Sequence, residues 1–307
     1  MKRYLDCRAS DLLNINKADL LTALVASEGR ILVSETIGVV QPVLMTVTNA
    51  EFAASQGADI LLLNLFDVNQ PIMNGLPNDV TPDNVVHEIK RLTGRVVGIN
   101  LEPVDPDFGE SKDELWGMSN GRLATVENAK KAVSMGVNLL VLTGNPGNGI
   151  SNKAICASLA AINQAVGDKV VLVAGKMHAA GVLGEGASKI ISREDIAAFV
   201  AAGANIILLP APGTVPGVSL EFVREMVEYA HSLGVMTMTA IGTSQEGAEV
   251  ETIRQIALMC KMSGTDLHHI GDTGYVGMAL PENILAYSIT IRGRRHTYTR
   301  IAASINR

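Results

Sequence analysis

The feature that most constrains the fold of this chain is a pattern repeated along its length: a helical segment ends at a glycine, and a short apolar run follows almost at once. Glycine is the usual left-handed end of a helix, and short helix-to-strand turns are typical of alternating α/β folds. Runs that are continuously apolar indicate strands buried on both faces of a parallel sheet. The glycines are Gly57, Gly94, Gly136, Gly167, Gly203, Gly234 and Gly264, and the runs are 60–63, 96–99, 139–142, 170–174, 206–209, 235–238 and 267–270.

The number of strands predicts the architecture. With 31–33 as a first strand, the pattern predicts a closed (β/α)8 TIM barrel, and an open doubly wound sheet is the alternative. The chain has 307 residues, which fits one such barrel domain over 1–307 with an extension at each end.

The two extensions are predicted to be helical. Asn16 can cap a helix over 17–26 within an N-terminal extension, 1–30, that covers one end of the barrel. Pro281 can open a helix over 282–291. The basic C-terminal tail, 292–307, is interpreted as a solvated helix or subunit contact, with a lid reaching toward an anionic ligand as the alternative.

Charge and composition exclude several classes of protein. The net charge of −6 argues against general nucleic-acid binding, and no apolar run approaches the roughly 20 residues of a membrane helix. The first six residues lack an apolar signal region, so a cytoplasmic protein is expected. Cys7, Cys156 and Cys260 have no C-x-x-C spacing and are interpreted as buried thiols. The apolar fraction of 47% and the terminal extensions predict a homo-oligomer.

Two glycine-containing turns, 239–247 and 270–274, follow consecutive strands near the end of the chain. Glycine allows close approach of the backbone, and a helix N-terminus offers free N–H groups and a partial positive charge. In (β/α)8 barrels such turns after strands 7 and 8 often bind phosphate. The predicted phosphate-binding residues are Gly242, Thr243, Gly271 and Asp272, with Gly213 and Thr214 nearby.

Long strand-to-helix loops, 67–81, 104–124 and 177–191, predict that the chemistry lies at the C-terminal face of the barrel. The second loop holds Trp116 and resembles a lid or an oligomer contact. The third holds Gly181, Gly184 and Gly186, which indicate mobility or close approach to a ligand. The glycine-rich segment 144–149 lacks a Walker ending and is interpreted as a substrate loop on the barrel rim.

Polar residues at the predicted strand ends supply the candidate site. Alternation places Asn100 with Glu102, and Lys176 with His178, on shared faces, and the cost of burying an unpaired charge under helices favours the inward assignment. The predicted catalytic residues are Lys176, His178 and Glu102. The predicted substrate-binding residues are Glu35, Asn64, Asp67, Asn100, Thr143 and Asn145.

The role of Lys176 stays open among three possibilities: a base or Schiff-base nucleophile, a charged anchor for an anion, or a structural partner of Glu102 or Glu35. His178 is a candidate general acid or base, with a structural hydrogen bond as the alternative. No cofactor is expected, although Glu35, Asp67, Glu102 and Asp272 could hold Mg²⁺ through oxygen ligands. His268 and His269 are adjacent in one strand and point opposite ways, which argues against a two-histidine metal site.

Several segments resemble the BtpA-type barrels of the ribulose-phosphate-binding, or phosphate-binding TIM-barrel, group. They are 57–67, Gly98-Ile99-Asn100, Leu142-Thr143-Gly144, and Lys176 with His178. The strand-5 aspartate of that family is absent, since Ala174-Gly175 stand there. The resemblance implies the barrel fold and a phosphate site.

Three functional hypotheses follow. The first is an enzyme of a small phosphorylated or anionic metabolite, a lyase or isomerase acting beside a carbonyl with Lys176, His178 and Glu102. The second is a Mg²⁺-dependent enzyme of hydrolase or mutase type. The third is a non-catalytic barrel that binds a metabolite. No nucleic acid or membrane partner is expected.

Overall fold

The strands form a closed barrel in the computed structural model, which describes residues 2–105, 118–145, 149–179, 186, 189–274 and 276–307. All eight are parallel, each pairs with the next along the chain, and the last pairs with the first. The fold is therefore the predicted (β/α)8 barrel. The strands are β1 Ile31–Ile37, β2 Ile60–Asn64, β3 Val96–Leu101, β4 Leu139–Leu142, β5 Val171–Gly175, β6 Ile206–Pro210, β7 Met236–Ile241 and β8 Leu267–Ile270.

Helices alternate with the strands, and side-chain caps begin several of them. Ser192 caps one helix by accepting a hydrogen bond from the N–H of Asp195, whose carboxylate bonds back to the Ser192 backbone. Six of the seven predicted glycine stops have φ between 62° and 107°; Gly167, at φ −61°, is the exception. The helices are α1 Ala9–Leu12, α2 Lys17–Val25, α3 Asn49–Ser55, α4 Val85–Thr93, α5 Val126–Ser134, α6 Asn152–Val166, α7 Arg193–Ala202, α8 Leu220–Ser232, α9 Val250–Ser263 and α10 Pro281–Ala302.

The core has two layers that follow from strand alternation. One cluster fills the barrel interior and includes Val33, Leu62 and Val173. The other lies between the strands and the helices and includes Leu32 and Leu63. Side chains that face the barrel interior therefore line the barrel mouth wherever a strand continues beyond its apolar run.

The N-terminal extension closes the end of the barrel where the strands begin. Asn16 caps α2 as predicted, with its side chain accepting from the N–H of Asp19. Leu12 and Leu20 belong to the same buried cluster as Ile31 and other residues of the barrel interior. The opposite end of the barrel, where the strands finish, is surrounded by the strand-to-helix loops.

The basic tail is helical to Ala302, with a kink at Gly293, and most of its residues are exposed, which agrees with the interpretation as a solvated helix. Arg292 is buried and forms an ion pair with the buried carboxylate of Asp59, which precedes β2. The Nε atom of Arg300 lies 2.9 Å from Asp59 Oδ1. These arginines lie at the closed end of the barrel, so the interpretation of the tail as a lid over the mouth is wrong.

Part of the sequence predictions lies outside the described residues, namely Trp116, Gly181, Gly184 and most of the segment 144–149. Within the described ranges, no helix combines the length and the apolarity that crossing a membrane requires.

Candidate functional site

A cavity of about 220 Å³ opens at the mouth of the barrel, where the strands end. Most of its wall consists of polar side chains from the ends of β1, β2, β3, β4 and β8 and from the loops that follow β5 and β7. Its described lining residues are Glu35, Asn64, Leu65, Asn100, Glu102, Arg122, Thr143, Gly144, Asn145, Met177, His178, Gly242, Glu246, Gly271 and Asp272.

A chain of hydrogen bonds joins two carboxylates across the floor of this cavity. Asn100 donates from Nδ2 to Glu35 Oε1 over 2.5 Å and to Asn64 Oδ1 over 3.1 Å. Asn64 donates from Nδ2 to Asp272 Oδ2 over 2.8 Å. The backbone N–H of Gly274 donates to the other oxygen of Asp272, also over 2.8 Å. The two amides therefore hold Glu35 and Asp272 in defined positions.

Asp272 is the most strongly perturbed acid of the cavity. Burial raises its pKa to about 7, and the nearby charge of Glu35 acts in the same direction. Burial also raises the pKa of Glu246, with a further contribution from Glu35. Nε2 of His269, an interior residue beneath the cavity, lies 3.5 Å from Glu35 Oε2. Three carboxyl groups thus share one small, poorly solvated space.

The opposite wall carries an ion pair between Glu102 and Arg122. The guanidinium of Arg122 donates from Nε to Glu102 Oε1 over 3.1 Å and makes a second contact through Nη2. The backbones are paired as well, since the N–H of Glu102 donates to the carbonyl of Arg122. Burial raises the pKa of Glu102, and Arg122 opposes that shift. Glu102 lies in the cavity wall, held in place by Arg122.

Lys176 does not belong to the described lining, although Met177 and His178 do. Val171 and Val173 pack in the barrel interior and Leu172 packs outside it, but β5 ends before Lys176 at Gly175, whose φ is 152°, so this alternation does not decide which way Lys176 points. Lys176 is 1% exposed, and it interacts with other groups.

His178 belongs to the described lining of the cavity. Burial lowers its pKa, Lys176 lowers it further, and Glu35 opposes the shift. The imidazole is therefore neutral at physiological pH and can accept a proton.

The predicted phosphate-binding residues are divided between two places. Gly242, Gly271 and Asp272 line the cavity, whereas Gly213 does not. The hydroxyl of Thr243 lies 2.6 Å from the carbonyl oxygen of Thr214 and 2.5 Å from Gln245 Oε1. The hydroxyl of Thr214 donates to the carbonyl of Ala211.

The turns after β7 and β8 also differ from the expected anion site. The helix α9 begins at Val250, and a 3-10 helix, Gln245–Gly247, comes between it and β7. This short helix directs the buried Glu246 carboxyl over the turn at Gly271. A phosphate at these turns would face the carboxyl groups of Glu246 and Asp272.

The remaining predicted residues are placed as follows. Asn64, Asn100, Thr143 and Asn145 line the cavity with Glu35. Asp67 lies outside the described lining, because its Oδ1 atom accepts from the N–H groups of Asn69 and Gln70 in the turn after β2. Among the described residues, no group of three or more His, Cys, Asp or Glu side chains is arranged to hold a metal ion.

Three polar residues in or beneath the cavity were not selected from the sequence. Arg122 stands in a long loop, and only its pairing with Glu102 brings it to the cavity. Glu246 belongs to the glycine-rich turn that was interpreted as a phosphate site. His269 was considered with His268, but the two point opposite ways, and His268 contacts the Tyr287 hydroxyl and the Gly29 carbonyl outside the barrel. The alternation of side chains along β8 could have indicated that His269 faces the barrel interior.

The barrel and its mouth cavity define the class of architecture: a (β/α)8 barrel with a polar site at the C-terminal ends of its strands. The chain belongs to the family described as domain of unknown function DUF7916, whose model matches residues 5–307. A comparison with curated proteins found no significant match.

Solved structures share the barrel fold at low sequence identity. An archaeal fructose-1,6-bisphosphate aldolase, whose catalytic lysine is bound to the carbinolamine intermediate of its substrate, is 15% identical. That match covers 89% of this chain and 100% of the aldolase, with a TM-score of 0.57. A Burkholderia cenocepacia J2315 protein described as a lyase/mutase is 15% identical, covering 83% and 81% of the two chains, with a TM-score of 0.50. At this identity the likeness shows the fold alone, and the BtpA resemblance is confirmed only to that extent.

Proposed function

We propose that this protein is an enzyme that moves a proton at a carbon next to the carbonyl of a small polar metabolite, in a reaction of lyase or isomerase type. The observation that carries the proposal is Asp272. Its carboxyl lies in the cavity wall, is held by Asn64 and the Gly274 N–H, and has a pKa raised to about 7. A carboxyl that titrates near physiological pH can take up a proton and return it within one turnover.

The other cavity residues suit the same chemistry. Asp272 takes a proton from the carbon, and the electron pair moves onto the carbonyl oxygen to form an enolate. Arg122, which lines the cavity, is suited to stabilise that oxygen because its guanidinium is a charged hydrogen-bond donor. His178 or Glu35 then serves as the second proton-transfer group, and Glu102 keeps Arg122 in position.

A phosphorylated substrate has support of a different kind. Several structural neighbours are fructose-1,6-bisphosphate aldolases, so a phosphorylated sugar is a candidate for this chain. The carboxyl groups of Glu246 and Asp272 at the turns after β7 and β8 oppose a phosphate there. The proposal therefore names the carbonyl chemistry and not a phosphate group. A Mg²⁺-dependent reaction lacks support, because Glu102 is paired with Arg122 and Asp67 serves a turn.

A second candidate function is Schiff-base lyase chemistry through Lys176. The lysine is buried at the end of β5, and its charge affects the cavity-facing His178. Reduction with borohydride in the presence of keto-sugars would trap a Schiff base and add the substrate mass to the peptide that contains Lys176. Labelling of that peptide would favour this candidate over simple acid–base chemistry.

The proposed proton transfer is tested by exchange of carbon-bound hydrogen in D₂O. Candidate hydroxyketones, keto acids and sugar phosphates are incubated with the protein, and loss of the α-proton signal is followed by NMR. Asp272→Asn is expected to reduce exchange at least about a hundredfold. Glu228→Gln, which changes an exposed carboxylate on α8, is the matched control and is expected to retain the wild-type rate. Ligand binding without exchange of any bound compound would instead indicate a non-catalytic barrel.

Homo-oligomerisation and a cytoplasmic location stay predictions. Sedimentation at several micromolar concentrations tests the first: a single chain mass throughout would contradict it.

A further inference from the structure

Several buried polar atoms in the cavity wall have no hydrogen-bond partner among the described residues. They are Oδ1 of Asn100, Oγ1 of Thr143 and Oε2 of Glu246. These side chains belong to residues that are 6%, 3% and 6% exposed, and all three line the cavity. Buried polar atoms are costly to leave unpaired, so such a set indicates contacts that a ligand completes. The amide and carboxylate oxygens accept hydrogen bonds, which favours a ligand rich in donors.

The same part of the cavity has an excess of negative charge. Glu35, Glu246 and Asp272 line it together, whereas Arg122 in the same described lining forms an ion pair with Glu102. Glu35 raises the pKa of both Asp272 and Glu246, which shows that the three groups repel one another. A bound cation would relieve that repulsion.

The arrangement of the acids distinguishes between kinds of cation. The described side chains provide no group of three or more that could converge on a single metal ion. An organic ammonium is larger, and its separate N–H groups can reach carboxylates and amide oxygens that do not converge on one point. A phosphate would instead meet like charge at this position.

We propose that the cavity binds a small molecule carrying a protonated amino group, which lies among Glu35, Glu246 and Asp272 and donates a hydrogen bond to Asn100 Oδ1. This inference rests on the proposed function, because it specifies the substrate class of the same reaction. The carbonyl compound on which Asp272 acts would also carry an amino group. Arg122, which Glu102 holds on the opposite wall, lines the same cavity.

Binding to matched probes tests the charge of the ligand. The probes are 2-amino-1,3-propanediol, glycerol, which replaces the amine by a hydroxyl, and inorganic phosphate. Isothermal titration calorimetry of the full chain at pH 8 should give an affinity for the amine at least about tenfold above that for glycerol. Phosphate should bind more weakly than the amine. Equal affinities for amine and glycerol, or tighter binding of phosphate, would overturn the inference.

The number of protons released on binding is a second measurement, and non-specific binding of the amine would not change it. A cation beside Asp272 lowers its pKa, so amine binding at pH 6 should release up to about one proton, and less at pH 8. The groups that face Asp272 from the neighbouring elements are Glu35, Glu246, His269 and His178, with Lys176 next to His178. Repeating the titration in two buffers of different ionisation enthalpy measures the released protons. Release of the same size in Asp272→Asn would contradict the assignment.

Two isosteric variants and one control complete the experiment. Glu246→Gln is expected to weaken amine binding about tenfold or more, and glycerol binding much less. Glu228→Gln should bind both probes as the wild type does. Circular dichroism shows that each variant is folded before titration. If the amine binds as expected but no amino-carbonyl compound exchanges its α-proton, the proposed reaction fails and this inference stands. If only carbonyl compounds without an amino group exchange their α-proton, the proposed reaction stands and this inference fails.

Discussion

Asn64 and Asp272, which are 208 residues apart in sequence, are joined by a hydrogen bond of 2.8 Å from Nδ2 to Oδ2 across the mouth of the barrel. The bond favours the ionised form of Asp272 and so lowers its pKa, against the larger effect of burial. Asn64 also accepts from Asn100, which in turn holds Glu35. The two amides thus regulate how readily the acid pair of the cavity loses protons.

Replacing Asn64 by alanine is expected to raise the pKa of Asp272 above its present value of about 7, since the ionised carboxylate loses a donor. Carbon-13 NMR of labelled carboxyl groups across a pH titration measures the change, and any pH–rate profile that depends on Asp272 should move in the same direction. Asn84→Ala, at an exposed position before α4, is the control. A lower pKa in the Asn64 variant would contradict the role assigned to this bond.

The raised pKa of Asp272 also predicts how stability depends on pH. Because folding disfavours its ionised form, the wild type loses stability as pH rises from the unfolded pKa of about 4 through about 7. Asp272→Asn removes this loss. Its free energy of unfolding relative to wild type should increase between pH 4 and pH 8 by an amount on the order of 4 kcal/mol, from a shift of about three pK units.

Urea unfolding at pH 4, 6 and 8 checks this prediction, with the exposed Asp79→Asn as control. A difference between Asp272→Asn and wild type that is independent of pH would mean that Asp272 is ionised at little cost in the folded protein. The gain in stability would accompany the loss of proton transfer expected for this variant.

Asp59 is expected to be the most important charge for stability at the closed end of the barrel. Its carboxylate faces the buried arginines Arg292 and Arg300, and breaking a buried ion pair costs about 3–5 kcal/mol. Asp59→Asn should lower the free energy of unfolding by that amount, measured in urea. Glu225→Gln disrupts an ion pair with Arg193 whose side chains are 55% and 51% exposed, and should cost under about 1 kcal/mol. Equal losses would contradict the buried role of Asp59.

Much of the fold could be predicted because it depends on local patterns. A helix that ends at glycine and a short apolar run are visible within about 20 residues of sequence, and seven repetitions after a first strand leave few alternatives to a closed barrel. The alternative of a lid was wrong because the buried arginines of the tail contact a residue that is distant in sequence. Nothing near Arg292 in the sequence indicates that Asp59 lies against it.

The candidate site was only partly predictable for a related reason. Residues at the strand ends, such as Glu35, Asn100 and Asp272, follow from position, since every strand finishes at the same face. Glu246 and Arg122 reach the cavity through a short 3-10 helix and through pairing with Glu102, and neither feature has a sequence period. The face to which Lys176 belongs could not be decided from alternation alone.

The two turn glycines, Gly242 and Gly271, predict different consequences when each is replaced by alanine. A Cβ atom at Gly271 would lie 2.8 Å from the backbone carbonyl oxygen of Ile241, which accepts a β7–β8 hydrogen bond and cannot move freely. Gly271→Ala should therefore lower the free energy of unfolding by about 1–3 kcal/mol. A Cβ atom at Gly242 would meet the sulfur of Met177, the end of a flexible side chain.

Gly242→Ala should consequently change stability by less than about 1 kcal/mol, because Met177 can adopt another rotamer. Gly242 and Met177 both line the cavity, so a displaced Met177 side chain should narrow it. Binding of 2-amino-1,3-propanediol should therefore weaken. Adding Met177→Ala to Gly242→Ala should restore binding, since the space occupied by the thioether is returned to the ligand. Urea unfolding and calorimetric titration of the three variants measure these effects. Failure of the double variant to recover affinity, with the fold intact, would show that Gly242 acts through its backbone and not through Met177.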